Sequence, residues 1–364
     1  MTLVLTVVVV ALIFEYINGF HDTANSIATV VSTKVLTPRQ AVILAAVTNL
    51  LGALWGTAVA KTISSGLVDS KLVAMTSDVI ICALVGAILW NLLTWWFGLP
   101  SSSSHALIGG LCGSALAASN GNWRVIIWSQ PNREHWVQGK GLLWKVILPM
   151  VTSPLAGFVL GFCIMAILYV MLRNARPLRV NRFFNRAQIF SAGAMGFMHG
   201  TNDAQKTMGI IALTLLAATR AGHLKDLPEW LSFLRTHEPE GGAELGIATW
   251  IKVVCALTMA AGTAVGGWRI IKTLGHKMVK LHPINGFAAE ASSATVILAA
   301  THLGIPVSTT HNISAAIMGV GTARRLTAIK WSVVERMVWA WILTIPVCGA
   351  LAYVLVRLTS GWLG

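Results

Sequence analysis

The sequence is short of charge. Asp, Glu, Lys and Arg make up 11% of its 364 residues, less than half of the roughly 25% of an average soluble domain. With 55% hydrophobic residues and a mean hydropathy of +0.70, this scarcity excludes a disordered chain and argues against a soluble globular enzyme. Acidic residues are the scarcer sign, 13 against 27 Lys and Arg, for a net charge of +14. On a soluble protein that excess would suggest nucleic acid. Here the basic residues fall in the gaps between apolar runs, as the positive-inside rule requires, and no nucleic-acid partner is expected. The five cysteines, Cys82, Cys112, Cys163, Cys255 and Cys348, form no CxxC pair and no disulfide framework, and read as small buried hydrophobes. Met1–Val10 has no basic n-region and no cleavage site, so it reads as the start of a span and not as a signal peptide. The apolar runs lack the strict alternation of a transmembrane barrel.

What the chain has is continuous apolar segments near the 20 or so residues that a span needs. They run over 2–33, 38–60, 77–97, 100–119 and 142–172, then over 187–219, 246–267, 285–302, 304–321 and 331–357. Gly, Pro and small polar clusters interrupt several of them. Non-helical backbone at membrane depth must be buried in protein or line a cavity.

The five-and-five pattern is an internal duplication. Gly98-Leu-Pro-Ser-Ser-Ser-Ser-His105 matches Gly304-Ile-Pro-Val-Ser-Thr-Thr-His311, and Gly56-Thr-Ala-Val59 matches Gly262-Thr-Ala-Val265, both at an offset of 206. Gly19-Phe-His-Asp22-Thr-Ala-Asn25 aligns with Gly200-Thr-Asn-Asp203-Ala-Gln-Lys206 at 181. The polar segment Arg220–Glu244 accounts for the difference. The expected organisation is a first membrane repeat over 1–172, a basic cytoplasmic connection over 173–186 and a second repeat over 187–358 that contains a polar loop, 220–245. Arg173, Arg176, Arg179, Arg182 and Arg186 mark the cytoplasmic side. Arg269, Lys272, Lys277 and Lys280 mark a second cytoplasmic segment, read as an amphipathic helix on the interface. The loop, with Asp226, Glu229, Glu238, Glu240 and Glu244, then faces outside. The halves are parallel if 2–33 and 100–119 are both simple spans or both hairpins, and inverted if only one of them re-enters. Inverted repeats are the commoner transporter solution, so the expected class is an all-α, polytopic helical membrane protein with two inverted repeats, whose broken helices and helical hairpins meet at the midplane.

Asp22 and Asp203 hold equivalent positions deep in apolar units. Carboxylates there are expensive and mark function; burial for packing beside a Lys or Arg would have to occur twice. Each follows a glycine and has amide or imidazole neighbours, Asn18, His21 and Asn25 in one half, Asn202 and Gln205 in the other. Such discontinuous helices coordinate small cations or hydrogen-bond a polar substrate. The second pair of clusters is Ser101–Ser104 with His105, and Ser308, Thr309 and Thr310 with His311. Each follows Gly-x-Pro and reads as a helix start, with Pro in the first turn and Ser or Thr at the cap. Free N–H groups and the positive dipole end make an anion site there; ordinary capping is the blander reading. Donor-rich ends alone would suit sulfate. Carboxylates beside the anion favour phosphate, which keeps one or two protons to donate. Lys206 stands where the first repeat has Asn25, and either binds the anion or neutralises Asp203. His21 adjoins Asp22 and could titrate. His105 and His311 could simply bond neighbouring backbone. Glu15 and Glu290 are further carboxylates in apolar units. Trp95, Trp96, Trp123, Trp128, Trp339 and Trp341 sit mostly near span ends as an aromatic belt.

At these motifs the chain resembles the inorganic phosphate transporter (Pit) family. Asn18-Gly-Phe-His-Asp-Thr-Ala-Asn25 and Gly200-Thr-Asn-Asp203 are similar to its duplicated signature, and Gly304–His311 to its second-half motif. Gly98–His105 is similar to bacterial low-affinity permeases. The resemblance implies an inverted-repeat fold, often dimeric, in the bacterial cell membrane, with phosphate between the two signatures and no enzymatic activity. It implies cotransport with protons or sodium, and for bacterial members a divalent metal can travel with phosphate. No resident cofactor is expected. The phosphate set is then Asp22, Asn25, Ser102, Ser103, Ser104, Asp203, Lys206, Ser308, Thr309 and Thr310. The coupling-ion set is His21, Asp22, Asn202, Asp203 and Glu290. Sodium-coupled members typically have Asn at the place of His21 and a carboxylate at that of Asn49, which tilts the reading to protons; Glu290, present in the sodium-coupled relatives, points the other way. A sulfate permease on the same fold, a channel, and an intramembrane Ser/His/Asp hydrolase are the competing readings. Against the hydrolase, no Gly-x-Ser-x-Gly elbow is present, and the polar sets come as symmetric pairs.

Overall fold

The computed structural model describes residues 2–65, 67–69, 72–131, 139–225, 227–236 and 246–363. The first half comprises α1 (Thr2–Ser32), α2 (Pro38–Ala53), α3 (Ala58–Ser65), α4 (Ser77–Phe97), α5 (Ser103–Ala118) and α6 (Leu148–Leu172), the last led by a π-helical turn, Leu143–Ile147. The second comprises α7 (Pro177–Arg220), α8 (Thr249–Val265), α9 (Trp268–Lys272) with its π-helical continuation Thr273–Lys277, α10 (Pro283–His302), α11 (Thr309–Arg324) and α12 (Trp331–Leu363). By length and composition α1, α4, α12 and α6 with its leading turn can each cross a membrane, and α8 with α9 and its continuation, bent by 58°, makes a fifth, broken span. The chain is a polytopic helical membrane protein.

Local chemistry starts and stops these helices. Thr37 and Gln40 close a capping box ahead of Pro38. α4 stops at Gly98, whose φ of 63° is left-handed, and α10 stops before Gly304 at 62°. Ser102 and Ser308 then cap α5 and α11 by accepting from the N–H of His105 and His311, both at 3.2 Å. The Gly-x-Pro breaks are therefore the tips of two helical hairpins, α4–α5 and α10–α11.

Two apolar clusters lie at opposite ends of the bundle. One gathers Val4 and Val7 at the start of α1, Leu215 and Ala218 at the end of α7, the start of α4 and the end of α5. The other gathers Ala28 and Val30 at the end of α1, Ala192 and Met195 early in α7, the start of α10 and the end of α11. α1 and α7 thus run in opposite directions. Each hairpin returns to the end it left, so three units of each half cross the bundle. An odd number of crossings inverts the second repeat.

Lys34, Arg173 and Arg176 belong to the connections at one end, and Arg39 to the first turn of α2 there; by the positive-inside rule that end is cytoplasmic. Leu227 and Leu234, in the described part of the polar loop, pack in the cluster at the other end. Asp226, Glu238, Glu240 and Glu244 lie outside the described residues.

Three details differ from the sequence reading. Arg179, Arg182 and Arg186 are already helical, in the first turns of α7, so the connection between helices is only 173–176. The 269–280 segment is not a separate interfacial helix. Ile270, Ile271 and Leu274 are buried, and a Cβ at Gly275 would meet the Ala28 carbonyl oxygen of α1 at 2.5 Å, which makes this segment the second arm of a broken span. Finally, the two Gly-Thr-Ala-Val segments are not equivalent. A Cβ at Gly52 would collide with the carbonyl oxygen of Phe197, and one at Gly262 with that of Tyr16. Gly52 therefore corresponds to Gly262, and Gly56 (φ 81°) to Gly266 (φ 75°), both at the helix break. The tetrapeptide match is one helical turn out of register.

Candidate functional site

The hairpin tips meet in the interior, where α1 and α7 pass on either side. The rings of His105 and His311 touch edge to face, with centroids 4.8 Å apart, and His311 stacks on Trp341 of α12 at 4.2 Å. Neither histidine takes the local backbone bond expected of it; among the described residues His105 Nδ1 and His311 Nε2 have no partner. Trp341 donates to the Pro100 carbonyl across the tips at 3.0 Å. These contacts hold the N-termini of α5 and α11 side by side.

Both aspartates face this junction. Thr310 donates to Asp22 at 3.3 Å and Thr309 to Asp203 at 3.1 Å. Asn25 donates to Thr309 at 3.2 Å and to Thr310 at 2.9 Å. The Lys206 ammonium lies 2.5 Å from Asp203 and donates also to Ser104. Lys206 therefore neutralises Asp203 while reaching the α5 tip. Ser103 has a buried hydroxyl with no partner among the described residues. Ser102 and Ser308 are spent on capping, so they shape the site through the backbone. The phosphate set named from the sequence is thus one buried constellation drawn from four helices.

The coupling set is not one cluster. His21 Nδ1 lies 2.7 Å from Asp22, while its Nε2 contacts Thr94 at 3.1 Å and Ser101 at 3.4 Å. Asn202 turns away toward Thr301 of α10, at 3.1 Å. Glu290 lies two helical turns from Asp22 along α1, toward the cytoplasmic end, where it accepts from Thr29, Ser191 and Gln188. Glu15 is buried on the opposite side and accepts from Thr207.

The structure adds His199, a residue with no role among those expected from the sequence. Its Nε2 is 3.1 Å from Asp203, and its Nδ1 is 3.0 Å from the Asn49 side-chain oxygen. Ligand atoms of Asp22, His199 and Asp203 lie within 4.8 Å of one another, all buried, a set able to hold a cation. A signal for His199 exists in the repeat alignment. It stands four residues before Asp203, one turn away on the same helix face, as Asn18 stands before Asp22. The imidazole and amide positions are exchanged between halves, His21 against Asn202 and Asn18 against His199.

Residues 18–352 match the phosphate transporter family. The chain is 42% identical over 361 residues to a Bacillus subtilis (strain 168) protein named "Probable low-affinity inorganic phosphate transporter", covering 98% of each. It is 43% identical over 365 residues to a Mycobacterium bovis protein of the same name, covering 100% of this chain and 79% of that one. Its fold matches a solved structure, "The sodium-dependent phosphate transporter", with a TM-score of 0.76, 23% identity and 99% coverage of both chains. A paired-carboxylate, hydroxyl-rich site inside a duplicated helical fold is thus joined to a family match over most of the chain and to relatives more than 40% identical, and the chain belongs to the phosphate transporter family.

Proposed function

We propose that this transporter is a secondary active symporter that binds inorganic phosphate between the tips of α5 and α11 and carries it by alternating access with protons. One observation supports this above the others: each aspartate accepts from a different hydroxyl of the α11 tip, Asp22 from Thr310 and Asp203 from Thr309. An anion bound there meets two helix N-termini, the Ser103 hydroxyl and the Lys206 ammonium. It also meets carboxylates, which a protonated phosphate can hydrogen-bond and fully ionised sulfate cannot. Inverted repeats supply two near-equivalent arrangements of the bundle, one open to each side. The coupling role falls to the His21–Asp22 pair, 2.7 Å apart, beside an Asp203 held by Lys206, and Glu290 serves the cytoplasmic side. A divalent metal can accompany phosphate as cargo, and the working unit is a homodimer.

Sodium coupling is the second reading, favoured by the Asp22–His199–Asp203 cluster. An imidazole is a poor sodium ligand against oxygen, which keeps protons first. The test is radiolabelled phosphate uptake into proteoliposomes with proton and sodium gradients imposed separately, and sulfate as competitor. Uptake on an inward proton gradient without sodium is expected. Strict sodium dependence would transfer the coupling role to the Asp22–His199–Asp203 cluster, and sulfate transport without phosphate transport would overturn the substrate argument. Cross-linking in the bilayer tests the dimer.

A further inference from the structure

Where α7 leaves the cytoplasmic end of the bundle, Arg179, Arg182 and Arg186 line an open groove of about 670 Å³ together with Phe183, Phe190 and Phe287. The spacing of three and four residues places the arginines on one helix face. No carboxylate among the described residues pairs with them. Phe183 and Phe190 are 64% and 78% exposed, and Phe287 of α10 forms the far wall by packing edge to face on Phe184 at 5.3 Å. We propose that this groove is a binding site for one anionic phospholipid of the cytoplasmic leaflet, its phosphate on the guanidiniums and an acyl chain along the phenylalanines.

Charge decides the occupant. Three unneutralised guanidiniums stand beside apolar surface at the membrane boundary, and each basic residue in such a position strengthens attraction to anionic lipid about fivefold. Planar guanidinium forks also match phosphate oxygens. A zwitterionic lipid brings a phosphodiester together with its own cation, which three guanidiniums repel and which cancels the net attraction, and an uncharged detergent would fill the apolar wall and leave the arginines unpaired. The site has mechanical reach. Gln188, two residues beyond Arg186, bonds Glu290 at 3.4 Å, and Asp203 lies 17 residues beyond Arg186 on the same helix, about 25 Å along its axis. A lipid clamped here anchors the cytoplasmic end of the helix that carries Asp203 and Lys206.

The test is native mass spectrometry of purified protein titrated with phosphatidylglycerol, phosphatidylcholine or inorganic phosphate. Wild type is expected to retain phosphatidylglycerol in preference to phosphatidylcholine. Arg182→Gln/Arg186→Gln is expected to weaken that binding about 25-fold at unchanged oligomeric state. Arg182→Lys/Arg186→Lys keeps the charge and is expected to stay within a few-fold of wild type. Arg179→Gln alone, expected to lose about fivefold, serves if the double Gln variant does not fold. Equal retention of the two lipids by wild type would overturn the proposal. So would unchanged phosphatidylglycerol binding in the Gln variants, displacement of the lipid by millimolar inorganic phosphate, or dissociation of a dimer in the double Gln variant, which would make the groove a subunit interface. The readout does not involve transport and is independent of the coupling reading.

Discussion

Asp22→Asn and Asp203→Asn should both abolish phosphate uptake, yet they should differ in stability, because the repeats neutralise their carboxylates differently. Asp203 has Lys206 at 2.5 Å, with side-chain exposures of 1% and 3%. Removing one partner of such a buried pair costs about 3–5 kcal/mol, since the other charge is left uncompensated. The Asp203→Asn change would leave the Lys206 ammonium with Ser104 and, at 3.4 Å, the Val307 carbonyl. Among the described residues no lysine or arginine pairs with Asp22; its contacts are His21 at 2.7 Å and the Thr310 hydroxyl at 3.3 Å. An amide oxygen retains much of this, so Asp22→Asn should cost about 1–2 kcal/mol. The drop in melting midpoint of detergent-purified protein should therefore be roughly two to three times larger for Asp203→Asn. Asp203→Asn/Lys206→Asn removes both charges and should recover most of that drop without recovering uptake, a coupling of about 2–3 kcal/mol. Equal midpoints for the two single variants, or no recovery in the double variant, would refute the asymmetric neutralisation. Wild-type uptake in either single variant would refute the site itself.

Other perturbations follow from the same contacts. Ser103→Ala and Thr309→Ala each remove a hydroxyl from the anion pocket, and half-saturation for phosphate in proteoliposomes should rise about fivefold per lost bond at unchanged expression; unchanged half-saturation in both would return these motifs to capping. Gly262→Leu should prevent accumulation of folded protein, since any Cβ there strikes the Tyr16 carbonyl, whereas Gly121→Asn, with nothing within 4 Å and a side chain that tolerates positive φ, should be recovered at near wild-type yield. Glu290→Gln should lower the maximal rate of proton-driven uptake while leaving half-saturation near wild type, because Glu290 is bonded to Thr29, Ser191 and Gln188 and to no group of the anion pocket; a large rise in half-saturation would place it in the substrate site.

Composition alone determined the membrane class, because apolar runs this long with so little charge have no soluble alternative. The two motif pairs, Asp22 with Asp203 and Ser101–His105 with Ser308–His311, determined duplication and the anion-and-carboxylate character of the site, because buried polar groups are too costly to recur by chance. Caps were legible because they are local: the Ser102 and Ser308 hydroxyls accept from an N–H three residues on, and Gly98 and Gly304 act through their own left-handed backbone. Tertiary structure decided everything that depends on contacts between distant segments. Whether 100–119 crosses or turns back has no local signature, since α5 and a spanning helix share an apolar composition; packing alone shows the hairpin, and with it the inversion. The Gly-Thr-Ala-Val register was misleading because four residues repeat by chance more easily than two helices change which glycine lets them touch. His199 joined the aspartates, and Glu290 was set apart from them beside Thr29, Ser191 and Gln188, through where α7 and α10 pack. A side chain's partners are set by the helix across from it, and one sequence read alone does not name that helix.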